Sequence, residues 1–339
     1  MDRKNIFLIV MGVVIVFAIM VTNRDLKKPY EHIGYALDTQ IRIVVYDKDV
    51  DKNIAYNAFT KITEKEKILS NFLENSETSK LNKDKEIVPA EDLMNVLKKG
   101  YEISEKSNGS YDITIYPLTS MWHYKNEYVP GSEEIENAKK KINYKNLIFD
   151  EKKIRLINDA SVDVSSVAKG YIADEIIKYL KENNVKNALV DAGGNIKVTG
   201  SPSKKENVGF MIGIQDPHSN IGIPFAQIEI KDKSIVTSGI YERKFEKNGK
   251  TYHHIIDPKT GYPTDNDIVA VSVIGENSID CDAYATAVMV LGTDDGMKLI
   301  KSKEDLKCII IKKNKKVILS ENIKEFQINN EEYTVEKIY

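Results

Sequence analysis

Asp282 and Thr286 stand four residues apart in a segment patterned as a helix, so a carboxylate and a hydroxyl point the same way. Both are hard oxygen ligands of the kind magnesium takes. Asp280 falls on a different face of the same helix start. Such an Asp equally suits the positive end of a helix dipole, and spacing alone leaves both readings open. Thr237-Ser238-Gly239 follows a strand pattern, and Asp191-Ala192-Gly193-Gly194-Asn195 is similar. Small residues there free backbone N–H groups and hydroxyls to meet an anion. Neither is a Walker loop or a GxGxxG fingerprint, so ordinary tight turns account for both as readily.

Two of the chain's five histidines, His253 and His254, precede Ile255-Ile256-Asp257-Pro258. A His at a strand end is able to accept a proton, although a single His is more often structural. Asp257-Pro258-Lys259-Thr260-Gly261 reads as a turn, with Pro fixing φ and Gly supplying a positive one. Lys169-Gly170 lies inside a helix that starts near Ser165-Ser166, with Asp163 just ahead of it. A helical Gly costs about 1 kcal/mol against Ala. Close approach of a packed helix or of a ligand would each offset that cost.

The elements that must position these groups alternate irregularly. Ile41, Ile43 and Val45 predict a strand with one buried face. Helical spacing covers 53–69, 89–107, 132–141, 166–182, 278–291 and 294–300, with Asn108-Gly109 and Gly292 as stops. Residues 76–82 are polar and read as a loop. Strands are expected at 188–190, 210–214, 226–230, 235–237 and 268–274, and near Ile309 and Val317. Asn248-Gly249 marks a hairpin. This order lacks a βαβ rhythm and predicts an α+β fold with mixed sheets and flanking helices.

The 339 residues carry 49 Lys and Arg against 51 Asp and Glu. That balance argues against a general nucleic-acid binder, which needs a basic excess or stripe. The two cysteines, Cys281 and Cys308, form no CxxC or Cys/His cluster, so zinc is not expected and two buried thiols are. Arg3 and Lys4 precede an apolar run from Ile6 to Val21 that ends without a small-x-small cleavage pattern. Residues 1–22 therefore read as an uncleaved membrane anchor with the body outside. Residues 23–32 read as a polar tether, and 33–339 as the catalytic domain.

Taken in order, eight blocks of the chain resemble the ApbE family of FAD:protein FMN transferases. Ala36-Leu37-Asp38-Thr39 is similar to the family's M-G-T segment, with Leu37 for Met and Asp38 for Gly. Residues 76–82 resemble S-x-L-S-x-L-N, with Thr78 for the first Leu. Tyr111-Asp112-Ile113-Thr114, Pro117-Leu118 and Trp122 resemble F-D-x-T-x-x-P-L…W. Residues 163–174 are similar to D-L-x-x-x-A-K-G-Y-x-x-D, with Val164 for Leu. Asp191 to Gly194 fits D-x-G-G, and 234–245 fits S-x-x-T-S-G-x-Y-x-R-x-F. Residues 254–263 fit H-I-I-D-P-x-T-G-x-P. Residues 281–292 fit A-D-A-x-A-T-A-x-x-x-L-G, with Cys281 for Ala.

The resemblance implies two lobes around a flavin cleft, with isoalloxazine near the first strands and pyrophosphate near a metal. It implies that Leu37, Ser110, Tyr111, Asp112, Asp163, Lys169 and Ile256 touch FAD. Ser166, Asp282, Thr286 and the Ala285 carbonyl would hold Mg²⁺. Thr237 and Ser238 are expected to spread developing charge, and His254 or a metal-side Asp to take the proton of an acceptor Thr or Ser. The implied partner is an acceptor flavoprotein outside a bacterial cell membrane. Asp38 in place of Gly adds bulk and charge beside the flavin. Two alternatives use the same site: a Mg²⁺-dependent FAD pyrophosphatase, and an extracytoplasmic FAD-binding protein without catalysis.

Overall fold

The computed structural model describes residues 28–122, 124–203, 208–321, 323 and 326–337. The expected anchor at 1–22 lies outside the described residues, as does the tether up to residue 27. Among the described residues no helix is long and apolar enough to cross a membrane.

The core is one sheet of nine strands that lie in chain order. They are β1 (Tyr30–Ala36), β2 (Thr39–Val45), β3 (Ala188–Ala192), β4 (Asn195–Thr199), β5 (Ser234–Gly239), β6 (Ile268–Gly275), β7 (Lys307–Lys312), β8 (Lys316–Leu319) and β9 (Thr334–Lys337). All neighbours pair antiparallel except β8 and β9, which run parallel. Tyr30–His32, read above as the end of a tether, instead open β1.

Among the described residues eight α-helices follow in chain order: α1 (Ile54–Leu69), α2 (Glu77–Asp84), α3 (Glu91–Lys106), α4 (Tyr116–Thr119), α5 (Ser132–Lys139), α6 (Ser165–Glu182), α7 (Ser278–Leu291) and α8 (Thr293–Lys301). One face of the sheet, through Ile41, Ile43, Val190, Val271 and Ile310, packs on α1, α3, α6 and α7. The other face, through Val44, Leu189, Ile196, Ile309 and Val317, packs on a separate sheet of Phe210–Gln215, Pro224–Ile230 and Phe326–Ile328. The long strands are therefore buried on both sides, and β6 is buried at every residue. This is the expected α+β class with mixed sheets. The hairpin Lys244–Lys247/Lys250–His253 turns through Asn248 and Gly249, both at positive φ, as predicted.

The polar stretch at 76–82 is not a loop. Ser76 caps α2 by accepting from Ser79 N at 3.0 Å, and only Thr78 and Leu81 face inward. With two apolar contacts in eight residues, α2 shows almost no periodic signal in the sequence.

Candidate functional site

α6 and α7 cross at Gly170. A Cβ there would lie 2.3 Å from the Ser278 carbonyl oxygen and 2.8 Å from Ile279 Cα. The glycine thus meets backbone, which is why its helix-propensity cost is tolerated. At the crossing Gly170 N donates to Asp282 Oδ2 at 2.9 Å. Asp174, one turn on, accepts from Ser278 N and Ile279 N at 2.8 and 2.9 Å and fixes the start of α7. Two helices are thereby locked so that Asp282 points to one spot.

Thr286 comes to the same spot. Its hydroxyl donates to the Asp282 carbonyl at 3.4 Å and lies 3.5 Å from Ser238 Oγ on β5. Ala285, between them in sequence, is fully buried. Ser166, one turn before Gly170, donates to the Tyr111 hydroxyl at 3.1 Å. Burial raises the Asp282 carboxyl, against the opposing pull of Lys169, the Gly170 N–H and the Asn195 amide. Both polar atoms of the Asn195 amide are buried beside it, too poorly aimed to complete a hydrogen bond. A buried carboxylate that Lys169 only partly offsets, beside hydroxyls and such an amide, suits a small oxygen-seeking cation. Among the described residues no three His, Cys, Asp or Glu cluster as a metal cage. A cation held by Asp282, Ser166, Thr286 and the Ala285 carbonyl would leave room for substrate oxygens.

Lys169 is the cation these groups share. It opposes the burial-driven rise of Asp282, of Asp191 and of Glu242. Asp191 is pushed up to about 6 by burial, while Gly194 N holds its Oδ1 at 3.1 Å. Glu242 is wetted but walled by protein, and that enclosure raises its carboxyl.

The two histidines separate. His253 is buried, with Nε2 3.0 Å from the Thr264 carbonyl, and is structural. His254 is half-buried, and its Nδ1 has no partner. Burial, with Arg243, His253 and Lys169 nearby, lowers it to about 3, so it is neutral near pH 7. Ile256 belongs to a small apolar cluster with Leu118, Trp122 and Ile135. That cluster seats the predicted turn, where Gly261 at φ 78 accepts from Trp122 Nε1 at 3.3 Å.

The other residues expected at FAD have these partners within the fold. Asp112 Oδ1 accepts from Thr114 N and Oγ1 at 2.8 and 2.6 Å, and Oδ2 from Tyr144 N at 3.0 Å. Asp163 accepts from Thr119 Oγ1 at 2.6 Å and Ser165 N at 2.9 Å, shaping the entry to α6. Ser110 is buried, with its N–H on the Ser107 carbonyl. Leu37 is part-buried at the β1–β2 turn. Thr237 lies within β5, its N–H donates to the Gly194 carbonyl at 3.3 Å, and its hydroxyl is 2.7 Å from Ser272 Oγ. The Thr237 N–H is engaged within the sheet, either oxygen can be the donor in the Thr237–Ser272 contact, and the Ser238 hydroxyl faces Thr286.

The sequence reading missed Glu242 and the asparagine clamp. Asn71 Nδ2 and Asn82 Nδ2 both donate to the Val162 carbonyl at 2.8 Å. Val162 N donates back to Asn82 and Val164 N to Asn71. This holds the strand-like entry to α6 from both sides of Asp163. The available signal was the closing Asn82 of the 76–82 block.

Such an arrangement defines a class: an α+β protein with an oxygen-rich donor set and a lysine gathered where two helices cross, suited to a metal-bound phosphate. The ApbE family matches residues 37–310, and the chain belongs to that family. It is 33% identical over 218 residues to the FAD:protein FMN transferase of Klebsiella pneumoniae, covering 63% of this chain and 66% of that one. It is 30% identical over 334 residues to the protein of that name from Buchnera aphidicola, covering 93% and 96%. The crystal structure of the ApbE protein of Thermotoga maritima superposes with a TM-score of 0.77 at 30% identity, covering 84% of this chain and 94% of that one.

Proposed function

We propose that this chain is a flavin transferase that moves FMN from FAD to a Thr or Ser hydroxyl of an acceptor flavoprotein, releasing AMP. The observation that carries the reading is the buried Asp282 carboxyl fixed by Gly170 N at the α6–α7 crossing under the pull of Lys169, with the Thr286 and Ser238 hydroxyls 3.5 Å apart beside it and Ser166 bonded to the neighbouring Tyr111. Mg²⁺ bound there would neutralise the pyrophosphate and polarise its phosphorus–oxygen bonds. Ser166, Asp282, Thr286 and the Ala285 carbonyl are its ligands in this reading.

The chain's own groups supply the rest. Lys169 sets a positive field toward Asp191, Glu242 and Asp282 and would draw the anionic substrate. The Ser238 hydroxyl is placed to donate to a phosphate oxygen. The acceptor oxygen attacks the FMN-side phosphorus, the bond to the AMP oxygen breaks, and AMP departs. Neutral His254 takes the acceptor proton. Asp282 is set aside as base because Gly170 N already holds its Oδ2 and a bound cation would take its remaining oxygen. In this reading Arg3 and Lys4 ahead of the apolar run Ile6–Val21 would anchor the chain in a bacterial membrane with this chemistry on the outer side, and the acceptor would be an extracytoplasmic flavoprotein.

The test uses residues 28–339 with FAD, Mg²⁺ and an acceptor domain, following AMP by chromatography and FMN addition by mass spectrometry. FMN addition that needs Mg²⁺ and disappears in Asp282→Ala is the expected result. AMP release without a modified acceptor would instead indicate a pyrophosphatase. FAD bound without turnover under any divalent metal would indicate a binding protein.

A further inference from the structure

The β1–β2 turn is built from residues that do not favour its shape. Leu37 and Asp38 both sit at φ 56, where a two-residue turn of this kind ordinarily carries Gly or Asn. Three contacts hold it. Leu37 N donates to Glu66 Oε1 at 2.8 Å. The Tyr35 hydroxyl donates to Asp38 Oδ1 at 2.9 Å. Arg243 Nη2 donates to Asp38 Oδ2 at 2.8 Å, across 205 residues of chain. The turn also rests on β3–β4, where a Cβ on Gly193 would lie 2.2 Å from Thr39 Oγ1.

Arg243 links this turn to the reacting groups. It follows Glu242, its carbonyl accepts from His254 N at 3.2 Å, and its charge bears on both Glu242 and His254. The Asp38–Arg243 pair therefore ties the β1–β2 turn to the segment whose charge acts on Glu242 and His254, groups that Lys169 also reaches. Its side chains are 48% and 44% exposed, so water and salt reach the pair and it exchanges readily.

We infer that Asp38 and Arg243 form an ionic latch across the mouth of the flavin cleft, which must part for FAD to enter. The latch rests on the flavin-transfer reading of that cleft. Asp38 acts through Arg243 and is a positioning residue. Its carboxylate occupies the guanidinium, and the strained turn favours release once the pair opens.

The experiment is stopped-flow FAD association, read by flavin fluorescence, for wild type, Asp38→Asn and Arg243→Gln at low and high NaCl. Asn tolerates φ near +56, so the turn survives the first variant. The latch predicts that both variants speed association about two- to fivefold at low salt, the range set by an exposed ion pair. It also predicts that the advantage shrinks toward unity at high salt and that kcat changes less than the association rate. Simple steering of an anion predicts opposite signs, with Asp38→Asn faster and Arg243→Gln slower, and that result would overturn the latch. Unchanged association in both variants would overturn it as well. Wild type that binds no FAD at either salt would overturn the flavin reading and the latch together, an outcome distinct from the other two.

Discussion

Gly170→Ala isolates the α6–α7 crossing. The added Cβ would sit 2.3 Å from the Ser278 oxygen, 2.7 Å from its carbonyl carbon and 2.8 Å from Ile279 Cα. All three are backbone atoms, so no side chain can swing aside. Restoring ordinary contact requires the helices to part by roughly 1 Å, against interiors packed as tightly as crystals. Overpacking of this kind costs about 1–3 kcal/mol. Ala gains about 1 kcal/mol of helix propensity over Gly, which offsets part of that. The net expectation is roughly 0–2 kcal/mol of destabilisation, or a Tm lower by up to about 6 °C. The effect on chemistry is larger. Gly170 N is the donor to Asp282, and a 1 Å misplacement at a reacting site costs on the order of 100-fold in rate. Thermal unfolding and the steady-state rate of FMN transfer are the two assays. A variant with wild-type Tm and wild-type kcat would refute the close crossing and its role in aiming Asp282.

Asp191 gives a pH dependence. Its folded value of about 6 exceeds the ordinary value of 3.8, so folding favours the neutral acid. The associated stability is full below about pH 4 and lost as pH rises through about 6, reaching at most about 3 kcal/mol at pH 7. Asp191→Asn should therefore raise Tm near pH 7.5 and leave it unchanged near pH 4; an equal gain at both would contradict the assignment. His254→Ala should bind FAD while losing most FMN transfer, and full turnover in that variant would remove His254 as the base. Because His254 stays neutral down to about pH 3, the wild-type kcat/KM profile should show no acidic limb near 6.5 belonging to this residue. Asn82→Ala removes an acceptor for Val162 N and a donor to its carbonyl, which should lower stability by about 1–3 kcal/mol in denaturant titrations. Unaltered stability would show that Asn71 holds the segment alone.

Strands and helices with one dominant contact face were legible, because period carries that information. Ile41, Ile43 and Val45 face the helices as expected. The intervening Val44 is equally buried, against the second sheet. A one-sided pattern was thus read on a two-sided strand, since Val44 interrupts the alternation without declaring what covers it. α2 fails in the opposite way, being polar on most of its surface. Strands β1, β4 and β9 were not read at all. β1 and β9 are the sheet's edges, and the exposed side of such strands carries residues that burial does not select.

The site divides along the same line. Asp282 and Thr286 were readable because a helix fixes their relation at i and i+4. Their convergence with Ser238, 48 residues away, depends on β5 lying under α7 and is invisible to spacing. Gly170 had two open explanations in the sequence, and only the 2.3 Å approach to Ser278 decides for helix packing. The histidines show the same limit. His253 and His254 are adjacent and chemically identical, yet His253 is buried with Nε2 tied to the Thr264 carbonyl, while His254 is half-buried; neither Nδ1 has a partner. His253 ends the strand Lys250–His253, paired with Lys244 in a register fixed by the two positive-φ residues of the turn, while His254 lies just past it with its N–H on the Arg243 carbonyl. Adjacency in sequence therefore says nothing about whether the two rings share surroundings.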